Sequence, residues 1–397
     1  MKALAWHGKG DIRCDTVPDP RIEAPRDAII KVTACAICGS DLHLMEVLGP
    51  FLRTGDVLGH EAMGIVEEVG PEVTHVRPGD RVVVPFNISC GHCWMCSRGL
   101  FAQCETTQNR DQGKGASLFG YTALYGQVPG GQAELVRVPH ADFGPVVVPA
   151  DQAEVHDERF LYLSDILPTA WQGVVYADVP EGGTLAVLGA GPVGQLAVAA
   201  AHHQGIERVI VVDRVPERLA RARARGAETI DLDAVDSVPD ALRELTGGRG
   251  PDSVLEAVGM EAHGNPIAEK VIGLASRLPK QISRLAIEKM GIDRLDALYT
   301  AFDGVRRGGT VSISGVYGGA ADPLPMMDLF DKGLTLRMGQ CHVKQWTDDL
   351  VEVLREPDDV FGVDDLASHR VPLEQAPEMY DLFQRKADGC VKVVLKP

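Results

Sequence analysis

The sequence predicts a two-domain α/β protein, in which a β-barrel-like domain is followed by a doubly wound domain with a parallel sheet. The chain has 397 residues, which exceeds the size at which a single hydrophobic core usually keeps growing. Its first part is rich in short β-type runs separated by glycine and proline, whereas strands and helical patterns alternate after about residue 170. These observations together predict two domains of different architecture.

The first domain is predicted to cover residues 1–169 and to receive the C-terminal residues 341–397. Its β-type runs are Met1–Trp6, Ala28–Thr33, Gly64–Val69 and Asp80–Pro85. Turn residues between these runs indicate a compact barrel whose loops carry functional side chains. The tail regains β character at Val391–Lys396, and we expect this segment to rejoin the first domain.

The second domain is predicted over residues 170–340. Thr184–Leu188 reads as a strand, Gly194–Gln204 as an alanine-rich helix and Glu207–Asp213 as the next strand, which together form a βαβ unit. Further strands at Ser253–Val258 and Gly309–Ser314 extend a parallel sheet.

Charge and composition exclude several classes of partner. The net charge of −17 repels phosphate backbones and anionic lipid, so neither nucleic acid nor a membrane is an expected partner. No apolar run opens the chain or is long enough to span a bilayer. Nine cysteines in a chain without a secretory signal indicate a reducing compartment, and the expected location is the cytoplasm.

Four closely spaced cysteines are the most specific motif in the chain. Cys90, Cys93, Cys96 and Cys104 lie in one short run, and four thiolates can close a tetrahedron around Zn²⁺. The alternative is a set of free or disulfide-bonded thiols. Because a closed four-thiolate site has no open position for a substrate, this motif predicts a structural zinc ion.

A glycine motif between the first strand and helix of the βαβ unit predicts a dinucleotide site. Gly189 permits a tight turn, Gly191 lets pyrophosphate approach backbone amides, and Gly194 lets helix and strand pack closely. Asp213 ends the next strand, where a carboxylate accepts hydrogen bonds from the adenosine ribose and disfavours a 2′-phosphate. NAD is therefore predicted over NADP, although a guanidinium at Arg214 or Arg218 could hold a phosphate.

A long stretch, residues 260–309, separates two of the predicted sheet strands. It contains helical patterns at 268–275 and 282–290. They fit either a helical pair on the surface or at a subunit contact, or a lid over the bound cofactor. The sequence does not choose between these alternatives.

A second set of metal-binding side chains occurs in Cys38-Gly-Ser-Asp-Leu-His43 and in His60-Glu61. A lone histidine or cysteine is more often a core residue than a ligand. Together with the four-cysteine loop and the glycine motif, however, this set resembles the zinc-dependent medium-chain alcohol dehydrogenases over nearly the whole chain. Val84–Asn87 and Leu163–Thr169 are similar to the glutathione-independent formaldehyde dehydrogenases within that family.

The resemblance implies a GroES-like β-barrel catalytic domain and a Rossmann domain. It also implies that Cys38, His60 and Asp165 bind a catalytic zinc ion, which makes two zinc ions per chain. Asp165 stands where many relatives have cysteine, and the alternative for it is a helix N-cap. Glu61 is implied either as a residue that contacts the zinc ligands or as a transient fourth ligand, and Asp41 as the group that orients His60.

Hydride transfer between a small alcohol or aldehyde and NAD is the reaction that the resemblance implies, with zinc acting on the substrate oxygen. Ser40 and His43 would relay the accompanying proton to solvent, and Thr169 and Trp171 would border the pocket. The residues implied to contact the cofactor, besides the glycine motif, Asp213 and Arg218, are Gly39, Ser40, His43, Pro192, Val193, Val258, His263, Ser314, Val316 and Gly339.

Formaldehyde is the single substrate that the resemblance favours, and a homotetramer or homodimer is the assembly that it implies. The nearest alternative is a polyol or secondary-alcohol dehydrogenase of the same fold. A third reading is a non-catalytic dinucleotide-binding protein, but such proteins typically lose a zinc ligand or a relay residue, and here Cys38, His60, Asp165, Ser40 and His43 are all present. Retention of NAD through turnover remains a hypothesis.

Overall fold

The computed structural model describes residues 1–45, 48–149, 157–261, 295–317 and 324–397. These residues form two compact units, Met1–Pro168 with Cys341–Pro397, and Thr169–Gln340. Within the described ranges, no helix combines the length and the apolar character needed to cross a membrane. The helical patterns expected at 268–275 and 282–290, together with His263, lie outside the described residues.

The strands are β1 (Lys2–Gly8), β2 (Asp11–Thr16), β3 (Ala28–Ile37), β4 (Asp56–Val57), β5 (Glu61–Val69), β6 (Arg81–Val84), β7 (Leu135–Val138), β8 (Val146–Val147), β9 (Thr184–Leu188), β10 (Arg208–Asp213), β11 (Glu228–Asp231), β12 (Ser253–Glu256), β13 (Thr310–Ile313), β14 (Thr335–Met338), β15 (His369–Pro372) and β16 (Val393–Lys396). The α-helices are α1 (Gly39–Met45), α2 (Ile166–Ala177), α3 (Pro192–His203), α4 (Pro216–Ala224), α5 (Val238–Leu245), α6 (Asp296–Gly304), α7 (Met326–Lys332), α8 (Val343–Arg355) and α9 (Ala376–Arg385).

The first unit is built around a seven-stranded sheet in the order β15-β16-β3-β5-β6-β8, with β7 also paired to β3. A smaller sheet has the order β2-β1-β4. Because β3 and β5 are antiparallel, with Ala36 opposite Glu61, the end of β3 and the start of β5 meet at one edge. Cys38 follows β3 directly and His60 precedes β5, so the topology brings these two side chains to the same place.

The second unit contains a parallel sheet in the order β11-β10-β9-β12-β13-β14. This is the order of the doubly wound dinucleotide-binding fold, whose two halves meet between its first and fourth strands. Here those strands are β9 and β12, and they pair directly. All five residues of β9 are buried, as expected for a parallel strand covered on both faces. The predicted fold class is confirmed.

Several element boundaries differ from the sequence prediction, and two of them lie beside the predicted dinucleotide site. Helix α3 begins at Pro192 rather than Gly194, because proline fits the first helical turn, where its missing N–H is not needed. Strand β12 ends at Glu256 rather than Val258. The Oε1 atom of Glu256 accepts hydrogen bonds from the backbone N–H groups of Val258 and Gly259, at 2.8 Å each, so this segment turns away from the sheet.

An apolar surface lies at the β14 edge of the second unit. It consists of the exposed side chains of Met326, Met327, Phe330, Leu336 and Met338, from helix α7 and strand β14, and is called the β14 patch below. The most exposed of these side chains is Phe330, at 84%. Among the strands of the described residues, β14 is the last of its sheet, so none of them pairs with its outer backbone groups.

Candidate functional site

The four cysteines of the motif converge in the first unit. The Sγ atoms of Cys90, Cys93, Cys96 and Cys104 all lie within 4.8 Å of one another. The hydroxyl of Thr106 donates a hydrogen bond to the Sγ of Cys90 at 3.1 Å. Four cysteine sulfurs arranged in this way fit the tetrahedral coordination of a structural zinc ion.

Backbone amides surround these sulfurs and stabilise thiolate charge. The N–H groups of Cys96 and Glu105 both point at the Sγ of Cys93, at 3.4 Å. Although burial raises the pKa of the Cys93 thiol, these hydrogen bonds outweigh it and lower the pKa to about 6. At neutral pH this residue is therefore available as a thiolate.

A second group of metal-type donors is buried elsewhere in the same unit. One donor atom each from Cys38, His60, Glu61 and Asp165 lies within 4.8 Å of the others. The Oδ2 atom of Asp165 is 3.5 Å from the Sγ of Cys38 and 3.2 Å from the Nε2 of His60. Asp165 immediately precedes helix α2, so the position also fits an N-cap, the alternative considered from the sequence. These four residues are called the Cys38 cluster below.

The buried thiol and carboxylates of the Cys38 cluster favour a bound cation. Burial raises the pKa of the Cys38 thiol to about 11, so the thiolate needs a positive charge beside it at neutral pH. Burial lowers the pKa of His60, but the neighbouring carboxylates of Asp41 and Asp165 outweigh it and raise the pKa. A thiol, an imidazole and carboxylates are the ligand types of catalytic zinc, which takes three protein ligands and leaves one position open. The donors therefore fit zinc.

Glu61 also forms a buried ion pair. The Nζ atom of Lys392, directly before β16, lies 2.6 Å from the Oε1 of Glu61, and neither side chain has any exposed surface. Burial lowers the pKa of Lys392, but the Glu61 carboxylate more than compensates and raises it. The sequence analysis missed Lys392. A single lysine within the apolar run of a terminal strand was the available signal, because a charge buried in such a run requires a partner.

Aromatic rings lie next to His60. The ring centroids of Phe86 and Tyr121 are 6.3 Å and 6.5 Å from that of His60, both in edge-on orientation. Tyr121 was not among the predicted site residues, because a lone tyrosine in a glycine-rich loop carries no specific signal. The ring of His60 is therefore flanked by aromatic rings.

The predicted relay residues lie on helix α1, directly after Cys38. The Oγ atom of Ser40 is 3.9 Å from the Sγ of Cys38, and His43 is buried on the same helix. Thr169 and Trp171 lie on α2 in the second unit, where the Trp171 ring is 5.6 Å from the ring of His203.

The glycine motif occupies the loop between β9 and α3. Gly189 has φ +94°, and a Cβ atom on Gly194 would lie 1.9 Å from the carbonyl oxygen of Gly189. Gly191 precedes the helix as its N-cap, with Pro192 and Val193 in the first turn. The loop thus brings helical N–H groups to the carboxyl end of the sheet, where an anion can bind.

Asp213 ends strand β10 beside this loop. Its Oδ2 atom accepts a hydrogen bond from the N–H of Ala190 at 2.6 Å, and its Oδ1 accepts from Arg214 and Val215 at 2.7 and 2.9 Å. The carboxylate is thereby fixed against the glycine loop. The Nη1 atom of Arg218 lies 3.8 Å from the position of a Cβ on Gly191, which places a positive charge at the loop.

The remaining predicted cofactor contacts follow strands of the same sheet. Val258 follows β12, Ser314 and Val316 follow β13, and Gly339 follows β14. The backbone N–H of Ser314 donates to the carbonyl oxygen of Glu256 at 2.9 Å, so the segments after β12 and β13 are joined. Ligands of doubly wound sheets bind at these carboxyl ends.

Comparison with known proteins gives the family. The alcohol dehydrogenase GroES-like domain matches residues 24–150, and the zinc-binding dehydrogenase domain matches residues 192–267. AdhB of Bacillus subtilis (strain 168), an uncharacterized zinc-type alcohol dehydrogenase-like protein, is 40% identical over 100% of both chains. The chain belongs to the zinc-dependent medium-chain alcohol dehydrogenases. The resemblance found in the sequence is thereby confirmed.

Two further comparisons agree with this assignment. Formaldehyde dismutase from Pseudomonas putida is 34% identical, covering 100% of this chain and 97% of that protein. The solved structure of alcohol dehydrogenase TADH from Thermus sp. ATN1 is 34% identical with a TM-score of 0.79, covering 100% and 99% of the two chains. This medium-chain alcohol dehydrogenase therefore combines a GroES-like and a Rossmann-type domain, and its family uses zinc and a nicotinamide dinucleotide.

Proposed function

We propose that this alcohol dehydrogenase transfers hydride between a small alcohol or aldehyde and NAD, with formaldehyde as the favoured substrate. The observation that carries the proposal is the buried Cys38 cluster, whose donor types fit a catalytic zinc ion. The likeness to a formaldehyde dismutase supports the substrate. The rings of Phe86 and Tyr121 beside His60 support it as well, because they favour a small molecule.

Each residue of the cluster has a role in this proposal. A zinc ion held there supplies a Lewis acid for the substrate oxygen. Cys38, His60 and Asp165 hold the ion, and Glu61 stays beside it as a further carboxylate. Ser40 and His43 on α1 carry the proton away, since an imidazole has a suitable pKa for transfer near neutrality. The four-thiolate site binds a second, structural zinc ion.

NAD rather than NADP is the proposed cofactor. This choice is supported by the carboxylate of Asp213, held by three backbone N–H groups, because a negative charge at the end of this strand disfavours a 2′-phosphate. The Nη2 atom of Arg214 lies 3.6 Å from the Oδ1 of another carboxylate, that of Asp233. Arg218 sits at the glycine loop, where a pyrophosphate is the expected anion.

A substrate panel tests the proposal. Purified enzyme is offered formaldehyde, ethanol, polyols and threonine, with NAD or NADP and with or without glutathione. We expect the highest kcat/KM with formaldehyde and NAD, and no dependence on glutathione. A higher kcat/KM with a polyol or a secondary alcohol would show that this alternative class, and not formaldehyde, is the substrate. Absence of turnover with every compound would contradict the proposal.

We also propose that two copies of the chain associate through the β14 patch. An edge strand with unpaired backbone groups can pair with its own copy about a two-fold axis. The apolar side chains of the patch would be covered by the same contact.

Light scattering at micromolar concentration is expected to give the mass of a dimer, or of a tetramer built from such dimers. Phe330→Asp should halve that mass, because it places a charge in the contact. The control is Val360→Asp, at a 44% exposed residue of the other unit, which should leave the mass unchanged. A monomeric wild type, or an unchanged mass in Phe330→Asp, would contradict the proposal.

A further inference from the structure

We propose that Tyr380 and Gln132 are positioning residues for the catalytic zinc ligand His60, acting through Asp41. The proposal rests on the zinc site proposed above. Tyr380 comes from helix α9 near the C-terminus, whereas Gln132 precedes β7. Neither touches the Cys38 cluster directly in the contacts described, and neither was predicted from the sequence.

The orientation of the Gln132 amide is fixed by its surroundings. Its Nε2 atom donates hydrogen bonds to the carbonyl oxygen of Ala36 at 3.1 Å and to the Oδ2 of Asp41 at 3.2 Å. On the other side, the Tyr380 hydroxyl donates to the Gln132 Oε1 at 2.7 Å. Because carbonyl and carboxylate oxygens only accept, the amide has one satisfactory orientation, and the Tyr380 hydroxyl stabilises it.

This amide determines which oxygen of Asp41 is left for His60. The Oδ2 of Asp41 receives two donors, the Nε2 of Gln132 and the backbone N–H of Cys38, the latter at 3.0 Å. The Oδ1 of Asp41 lies 3.1 Å from the Nδ1 of His60. A carboxylate at Nδ1 keeps a proton on that nitrogen, so a metal ion that takes the place of a proton at Nε2 meets the lone pair there.

Burial stabilises this chain of hydrogen bonds, because it keeps water away from the polar groups. Tyr380, Gln132 and Asp41 have no exposed surface, and His60 is 5% exposed, so water does not replace a lost partner easily. The backbone next to His60 is packed against the same glutamine. Gly59 has φ +96°, and a Cβ there would lie 2.3 Å from the Cγ of Gln132. Moving Gln132 therefore disturbs the segment that carries His60.

The test compares Tyr380→Phe with Tyr162→Phe in the zinc-loaded enzyme. Both variants remove one hydroxyl from a fully buried tyrosine of the same unit. Zinc release into dipicolinate, a chelator, is followed by mass spectrometry, and the four-thiolate ion serves as an internal reference. We expect Tyr380→Phe to release one ion about 10-fold faster than wild type, and Tyr162→Phe to behave as wild type.

A second variant and a spectrum complete the test. Gln132→Glu keeps the side-chain shape but places a carboxylate against Asp41, and we expect faster release than in Tyr380→Phe. With Co²⁺ in place of zinc, the visible spectrum should shift in both variants and not in Tyr162→Phe. Release at the wild-type rate in Tyr380→Phe, or equal acceleration of both ions, would overturn this inference alone. A wild type that binds only one zinc ion would overturn the proposed function, and this inference with it.

Discussion

Replacing Cys38 by alanine is expected to lower kcat/KM for NADH formation by at least about 1000-fold. The Sγ of Cys38 is one of four donors that meet within 4.8 Å, and without it the site loses its thiolate. Lewis acid catalysis contributes several kcal/mol, and about 4 kcal/mol corresponds to a factor of about 1000 in rate. Steady-state kinetics with the preferred substrate of the panel measures this loss.

The matched control is Cys35→Ala. Cys35 is fully buried on β3, three positions before Cys38, and it is not part of the cluster. Its replacement removes a thiol of the same size from the strand that leads to Cys38, so we expect activity close to wild type. Retained activity in Cys38→Ala, or an equal loss in both variants, would show that the cluster does not perform the chemistry.

Replacing Lys392 by methionine is expected to lower the free energy of unfolding by about 3 kcal/mol. The change leaves the Glu61 carboxylate buried without the ammonium group that now lies 2.6 Å away. Removing one partner of a buried ion pair is costly because the remaining charge stays desolvated. Urea denaturation, followed by the fluorescence and circular dichroism of the purified enzyme, measures the change.

Lys396→Met, at the end of β16, provides the comparison. Its ammonium group lies 3.0 Å from Glu158, but the side chain is 44% exposed, and exposed ion pairs contribute about 0–1 kcal/mol. Adding Glu61→Gln to Lys392→Met removes the uncompensated charge and should recover part of the lost stability. Equal stability of the two single variants would contradict a stabilising role for the buried pair.

Much of the fold could be predicted because its signals are local. The apolar run of β9, the glycine loop, helix α3 and strand β10 follow one another in the sequence, so their order alone indicates a βαβ unit. The boundary at Glu256 was harder to predict. It depends on the Oε1 atom of Glu256, which accepts hydrogen bonds from the backbone N–H groups of Val258 and Gly259. The spacing of apolar residues in the sequence gives no information about such a contact.

The donors of the candidate site could be proposed from their residue types, but the groups that hold them could not. Lys392 meets Glu61 across 331 positions of the sequence, and Tyr380 meets Gln132 across 248. Such pairs depend on the register of β16 against β3 and on where α9 packs. These are tertiary features, and a single sequence carries no direct signal for them.

Zinc content per chain, measured together with NADH formation, tests the assignment of two separate centres most directly. Mass spectrometry of the purified wild type should give two zinc ions per chain, one for each donor cluster. Cys38→Ala should retain one ion and its fold while losing NADH formation. A wild type with one zinc ion, or a Cys38→Ala variant that keeps both ions and full activity, would contradict the assignment.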